Sequence, residues 1–333
     1  MLKEKIKINN PTISVIMSVY NEERYIETAV KSILLQTFND FEFIIINDGS
    51  TDKTLDILNS FNDKRLVIVN QENQGLTKSL NKALKMANGK YIARMDGNDC
   101  SLPKRFEKQV EILNNDKNIG LVGTFYYTID TKGKRIKIYK YATEYNEIKK
   151  RIYFENQFCH SSVMLRKECI ESIGLYREKI GPAEDYDLWL RIIEKYRAVN
   201  IAEPLHEVRI VPEGITLNNR FNQIRAAKLA LYMAEKRINN LIDDLESLDE
   251  SKISELLDKI MPKNKKNITA VSYSTNIYLA EVFYLTENHK ESLKKLLIAF
   301  KLNPFSNRNF TLLIKLILNM ILPKSLLLLL KSR

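Results

Sequence analysis

Four apolar runs in the first hundred residues, each closed by polar residues and three of them followed by a helix-spaced stretch, set the pattern of this chain. TISVIMSVY (12–20) leads into NEERYIETAVKSILLQT, where Ile26, Ala29, Val30, Ile33 and Leu34 recur at helical spacing. FEFIIIND (41–48) precedes STDKTLDILNSF, RLVIVN (65–70) precedes LTKSLNKALKMANG, and KYIARMDGND (90–99) ends the series. Runs that do not alternate with polar residues read as strands covered on both faces. The expected class is therefore α/β, with a mostly parallel sheet flanked by helices. Such sheets bind ligands beyond the carboxyl ends of their strands. Each run ends there in polar groups: Tyr20 and Asn21, Asn47 and Asp48, Asn70, and finally Asp96, Asn98 and Asp99.

From about residue 120 the pattern becomes less regular. GLVGTFYYTI and KRIKIYKY read as strand pieces, a helix is expected near 145–153, and another begins around Pro182 and runs through EDYDLWLRIIEKY. From about 217 onward the chain reads as helical, broken by the acidic stretch DDLESLDESK and the basic stretch PKNKK. The segment 274–302 has the look of one tetratricopeptide-like helix pair, a motif that builds arrays only in several copies. This predicts two parts, 1–216 and 217–333, the second an α-helical C-terminal region with a basic, Leu-rich tail.

Composition narrows the picture. A chain of 333 residues that is 44% apolar, with ten Gly and eight Pro, can bury a full core and is not disordered. Cys100, Cys159 and Cys169 are odd in number and widely spaced, which fits a reducing compartment rather than a disulfide framework. MLKEKIKINNPTISV has too short an apolar run for a secretory leader, so a cytoplasmic location is expected. The net charge of +11 is concentrated at one end. Residues 261–333 hold ten Lys and two Arg against three Glu, a charge of +9 that leaves +2 for the rest. A basic tail of this kind is drawn to anionic surfaces. Residues 310–330 are apolar but interrupted by Lys315, Pro323 and Lys324, so an in-plane or packed helix is expected rather than a spanning one. Peripheral contact with the inner face of the membrane follows as an expectation. A nucleic-acid partner is not expected, since no reader motif or interleaved aromatics accompany the charge.

Four segments carry candidate chemistry. Ser18-Val19-Tyr20-Asn21-Glu22 offers an aromatic at a strand end that can stack on a base, or simply a turn. Asn47-Asp48-Gly49-Ser50-Thr51-Asp52 combines an acid that can bond a base or ribose with Ser50 or Thr51 as a helix cap. Met95-Asp96-Gly97-Asn98-Asp99 crowds three oxygen ligands into four residues, which repel unless a cation lies among them, and hard oxygen donors suit Mg²⁺ or Mn²⁺. In Glu184-Asp185-Tyr186-Asp187, one carboxylate favours the helix dipole while a second can act as a general base. No dinucleotide glycine fingerprint and no phosphate loop follows any strand.

Taken in order, SVYNEERYI, IINDGSTDKT, NQGLTKSLNKAL, ARMDGND and AEDYDLWLR resemble the successive motifs of the family 2 glycosyltransferases of GT-A fold, of the bacterial polysaccharide and O-antigen type, over roughly residues 11–215. The resemblance implies that Ser18, Tyr20 and Asp48 hold the base, with Asn73 and Gly75 near the nucleotide. It implies that Asp96, Gly97 and Asn98 complete the nucleotide-sugar site, and that Asp96, Asn98 and Asp99 hold a divalent cation. Asp185 corresponds to the catalytic base of inverting members, with Glu184 beside it, and His160-Ser161-Ser162-Val163-Met164 to a segment under the donor and acceptor sugars. The donor implied is a nucleoside-diphosphate sugar, most commonly uridine-linked, and the acceptor a glycan or lipid-linked hydroxyl. Two positions depart from the pattern. Asn98 stands where the family commonly has a carboxylate, and LHEVRIVPEGIT supplies Arg209 but no His at the matching place, His206 reading as structural. A non-catalytic nucleotide-sugar binding or scaffold protein is the alternative reading.

Overall fold

The computed structural model describes residues 10–211 and 220–321. Alternating strands and helices come first: β1 (Ile13–Val19), α1 (Ile26–Leu34), β2 (Phe41–Asp48), α2 (Thr54–Ser60), β3 (Leu66–Gln71), α3 (Leu76–Met86) and β4 (Tyr91–Asp96). There follow β5 (Cys100–Ser101), α4 (Arg105–Asn115), the hairpin β6 (Ile119–Ile129) and β7 (Arg135–Tyr139), α5 (Tyr145–Arg151) and a 3₁₀ turn at His160–Ser162. Then come β8 (Met164–Arg166), α6 (Lys167–Ile173), α7 (Glu184–Lys195) and the long β9 (Arg197–Arg209). The helical remainder is α8 (Arg220–Ile238), α9 (Glu250–Ile260), α10 (Lys265–Leu285), α11 (His289–Leu302) and α12 (Asn307–Ile321).

The strands form one sheet in the order β3-β2-β1-β4-β8-β6-β9-β5, with β7 on β6. Pairing is parallel from β3 through β4 and mixed beyond, because β8 is antiparallel to both β4 and β6. β2 is buried at every position, as its unbroken apolar run requires. On one face Val15, Met17, Phe43, Ile45, Ala93 and Met95 pack with Ile26, Val30 and Ile33 of α1 and Phe106, Val110 and Leu113 of α4. Strand order reverses between β1 and β4. That is where a doubly wound sheet opens its ligand crevice, beyond the carboxyl ends. Ser18 stands opposite Asp96 across that line.

Two compact units are present. The first comprises residues up to Arg209 together with Leu229–Leu248, and the second Ile210–Lys228 and Asp249–Arg333. The expected boundary at 216/217 falls outside the described residues, and the division differs from the expected one. Residues 229–248, assigned by sequence to the helical region, belong with the sheet. Buried charge accounts for this. Asp187 of α7 is fully buried and accepts from Arg177 Nε (3.0 Å) and Arg191 Nε (3.0 Å). Arg177 Nη1 reaches Asp243 (2.7 Å), Arg237 pairs with Asp243 as well, and Arg237 also binds Glu194 of α7 (2.8 Å). The second unit has its own core, where Ile277 and Ala280 of α10 meet Leu296 and Ala299 of α11 and Leu312 and Leu316 of α12. No helix among the described residues is long and apolar enough to cross a membrane. The tail from 322 on lies outside them.

Removing one member of a buried ion cluster leaves its partners uncompensated, at a cost of about 3–5 kcal/mol, whereas an exposed helical pair contributes about 0.3–0.5 kcal/mol. Asp187→Ala is accordingly expected to lower unfolding stability by about 3–5 kcal/mol in denaturant titrations. Glu27→Ala, which removes the exposed Glu27–Lys31 pair, is expected to change it by under about 0.5 kcal/mol.

Candidate active site

The loops after β1 and β2 are laced together before any ligand arrives. Asn21, with φ of 56°, accepts from Thr51 N (2.8 Å), while its own N–H donates to Ser50 Oγ (3.0 Å). Glu22 N donates to Thr54 Oγ1 (2.8 Å) and Glu23 N to Asp52 Oδ2 (3.0 Å). Asp52, rather than Ser50 or Thr51, also receives the first free amide of α2, from Thr54 N (2.9 Å). The lacing leaves Tyr20 half exposed at 50% just past β1.

Asp48 is buried and accepts three bonds: Gln71 Nε2 (2.7 Å) and Gln74 N (2.9 Å) on Oδ1, and Gly75 N (2.8 Å) on Oδ2. The acid thus fastens the turn that holds Asn73 and Gly75 to the end of β2. Gly49 is required at this joint. Its φ is 76°, and a Cβ there would stand 2.6 Å from Asn73 N. A carboxylate has about four acceptor positions, so Asp48 retains one for a ligand donor.

At the end of β4 the three expected oxygen ligands do not converge. Asp96 remains open to solvent at 37% and forms an ion pair with Arg94, which lies two residues back on the same face of the strand. Asn98 is half-buried, and its carbonyl accepts from Arg209 Nε (2.9 Å). Asp99 is turned inward. Its oxygens take Arg209 N (2.9 Å) and His206 Nε2 (3.1 Å), and His206 also meets Ser161 Oγ (2.9 Å). Burial raises the Asp99 carboxyl, but the bonds from His206, Ser161 and Arg209 outweigh it and hold the group below its ordinary range. His206, buried and neutral, anchors the motif from beneath, in agreement with its structural reading. Gly97 fits because a Cβ there would meet Val19 Cγ1 at 2.6 Å and Glu22 Cγ at 3.3 Å.

That close approach brings in a residue the motif reading did not single out. Glu22 is lifted from the ordinary carboxylate value to about 7, by burial first and then by the charges of Asp96, Asp99 and Asp52. Arg94 is the second addition. It is buried, and its one sequence signal is a cation inside the apolar run YIARMD.

The start of α7 supplies the other wall. Glu184 is buried and lifted to about 7 by burial and by the neighbouring Asp185. Asp185 is also raised by burial, opposed by backbone amides, the nearby Arg94 cation and Asn156, whose Nδ2 donates to Asp185 Oδ2 (3.1 Å). His160 hydrogen-bonds Tyr176 through Nε2 (2.9 Å) and lies edge-on to Trp189 of α7 (5.9 Å), which ties the His160–Ser162 turn to α7. Burial and Arg94 keep His160 neutral.

Residues 14–174 match the model of glycosyl transferase family 2. An uncharacterized glycosyltransferase of Methanocaldococcus jannaschii is 35% identical over 69% of this chain and 80% of its own. The O-antigen biosynthesis glycosyltransferase WbnJ of Escherichia coli is 39% identical over 60% of this chain and 79% of its own, and the amylovoran biosynthesis glycosyltransferase AmsE of Erwinia amylovora 32% over 66% and 84%. Among solved structures, S. aureus TarS with UDP superposes with a TM-score of 0.54 at 18% identity over 85% of this chain and 88% of that one. The mannosyltransferase PcManGT of Pyrobaculum calidifontis with GDP-Man and Mn²⁺ superposes with a TM-score of 0.53 at 18% identity, over 94% and 88%. The fold shared with these structures is GT-A, and the chain is a glycosyltransferase belonging to family 2.

Proposed function

We propose that the chain is an inverting transferase that moves a sugar from a nucleoside-diphosphate donor, uridine-linked, to a hydroxyl of a glycan or lipid-linked acceptor in cell-surface polysaccharide synthesis. The observation that carries this is that the end of β4, beside Ser18 of β1, lies within electrostatic reach of the Glu184–Asp185 pair at the start of α7: Asp96 acts on Glu184, and Arg94 on both. Support for the pathway comes from the O-antigen and amylovoran relatives, and for the donor from the UDP complex of a fold neighbour.

Tyr20 offers its ring to the base, and the remaining acceptor position of Asp48 suits a base or ribose donor. Asp185 draws the proton from the acceptor hydroxyl as that oxygen bonds to the anomeric carbon. The bond from that carbon to the diphosphate breaks, and the nucleoside diphosphate departs. A single displacement inverts the centre. Glu184 stands beside it, lifted to about 7 by burial and by the charge on Asp185.

A divalent cation, Mn²⁺ or Mg²⁺, belongs to this reading. No group of three His, Cys, Asp or Glu among the described residues can enclose an ion. The donors present still fit one shared with a diphosphate: the open Asp96 carboxylate and the Asn98 amide oxygen are hard ligands, and the field that lifts Glu22 is one a dication relieves. Asp99 serves under them as an anchor. When bound, such an ion neutralises charge on the leaving diphosphate. Peripheral membrane placement also belongs here, carried by the +9 charge of residues 261–333 and by Phe310, Ile314 and Ile317 exposed on α12.

Two measurements test the reading. Asp185→Asn is expected to lower transfer from labelled UDP-sugars by about 10²–10⁴-fold while donor-nucleotide affinity stays within about threefold. Near-normal turnover by that variant would refute the base assignment. The second concerns Glu22. The folded protein keeps this proton up to about 7 while the unfolded chain releases it near 4.5, so stability falls as pH rises between those values. With EDTA present, Glu22→Gln is expected to raise Tm at pH 8 by about 2–4 °C, with a smaller gain near pH 5. An equal gain at both pH values would show that the carboxylate field is not the cause.

A further inference from the structure

The β6–β7 hairpin carries a set of tyrosines that the transfer chemistry above does not use. Tyr126 stands opposite Tyr139 in register, and their rings stack at 5.1 Å and 4°. Tyr141 lies 6.0 Å from Tyr126 at a 39° tilt. On its other side Tyr126 neighbours His206 of β9, the residue bonded to Asp99 and Ser161. The cluster therefore borders the floor of the site.

Its far end borders Asp185. Asn200 Nδ2 donates to Ala142 O (2.8 Å) and to Gln157 O (3.0 Å), clamping the residues after Tyr141 against those after Asn156. Asn156 in turn holds Asp185 (3.1 Å). The Asp185 charge is one of the causes that raise the Tyr141 hydroxyl, in keeping with this nearness, although burial is the larger one. Two residues before Asn156, Phe154 stands 88% exposed.

A purely structural cluster would seal its rings in the core. Here all three tyrosines remain partly open to solvent. Lys137 Nζ sits 4.7 Å from the centre of the Tyr139 ring and Tyr126 stacks on that ring too, so Tyr141 is the ring best placed to receive a ligand. An aromatic face is electron-rich and accepts the slightly positive C–H edge of an apolar surface. One face of a pyranose presents such C–H groups, while its rim carries hydroxyls. A polyprenyl chain or a lone phosphate has no matching ring face.

We propose that Tyr141, braced by Tyr126 and Tyr139, is the acceptor subsite beside Asp185 and that it binds a sugar ring, so that the acceptor hydroxyl is carried on a saccharide. This rests on the transferase reading above and names the acceptor class for it.

The test is saturation-transfer NMR on the full chain with methyl glycosides of glucose, galactose, mannose and N-acetylglucosamine, with geranyl phosphate as the lipid probe and UDP, GDP and dTDP as donor-side controls. At least one glycoside is expected to receive saturation, strongest on ring C–H protons. Tyr141→Ala is expected to weaken its binding by about fivefold, the factor that about 1 kcal/mol of aromatic contact represents, and Tyr141→Phe to keep it. Unchanged nucleotide signals show that the variants remain folded. The proposal is overturned if nucleotides bind but no glycoside does, if geranyl phosphate alone is saturated, if Tyr141→Ala binds glycoside as the parent does, or if the Phe variant loses binding along with Ala. Failure of every nucleotide to bind would count against the transferase reading instead.

Discussion

Carboxylates crowded at the ends of β2, β4 and the start of α7 can coexist only because fixed donors hold most of them. Asp48 is taken by Gln71 and two backbone amides, Asp99 by His206 and Arg209, and Asp187 by two guanidinium groups. These buried acids are satisfied, and they act as pegs. Around them stand the acids that face the crevice: Asp96, Glu22, Glu184 and Asp185. Glu22, Glu184 and Asp185 hold their protons more tightly than a free carboxylate, because burial penalises the ionised form of all three, joined by the charges of Asp96, Asp99 and Asp52 at Glu22 and of Asp185 at Glu184. A rigid frame of three multiply bonded acids thus stands among four with fewer partners, the fixed arrangement that electrostatic preorganisation requires.

Much of this was legible along the chain. The unbroken apolar runs of β1, β2 and β4 gave the parallel half of the sheet, and its polar strand ends gave the crevice, because both follow from local periodicity. What the residues could not reveal was direction. In Asp96-Gly97-Asn98-Asp99 three oxygen donors sit in sequence, but Asp99 turns inward because its partner His206 lies on β9, more than a hundred residues away. Arg94 hid for the same reason, a cation in an apolar strand whose meaning depends on the face it shares with Asp96. The place of residues 229–248 was equally hidden, since it rests on Arg177, Asp187 and Arg237 meeting Asp243 and Glu194 across long separations.

On the proposed reading the two halves of the sheet carry different duties, and their construction matches. The donor side rests on strands whose register is locked by parallel pairing and whose loops bond to one another, so its geometry is common to many sequences with the same motifs. The acceptor side is built on the β6–β7 hairpin and the 154–157 loop, joined through single contacts such as Asn200 and Asn156. Side chains there can change without disturbing the strand ends.

The same electrostatics accounts for the amide at position 98. Glu22 already sits near 7 in the field of Asp96, Asp99 and Asp52, opposed by the Arg209 cation, which is itself bonded to the Asn98 and Asp130 carbonyls. A carboxylate at 98 would add another like charge to this group. An amide oxygen keeps a hard donor in place without that charge. On the proposed reading, Asp96 and Asn98 would hold a cation more weakly alone than together with a diphosphate, whose oxygens would supply further hard ligands.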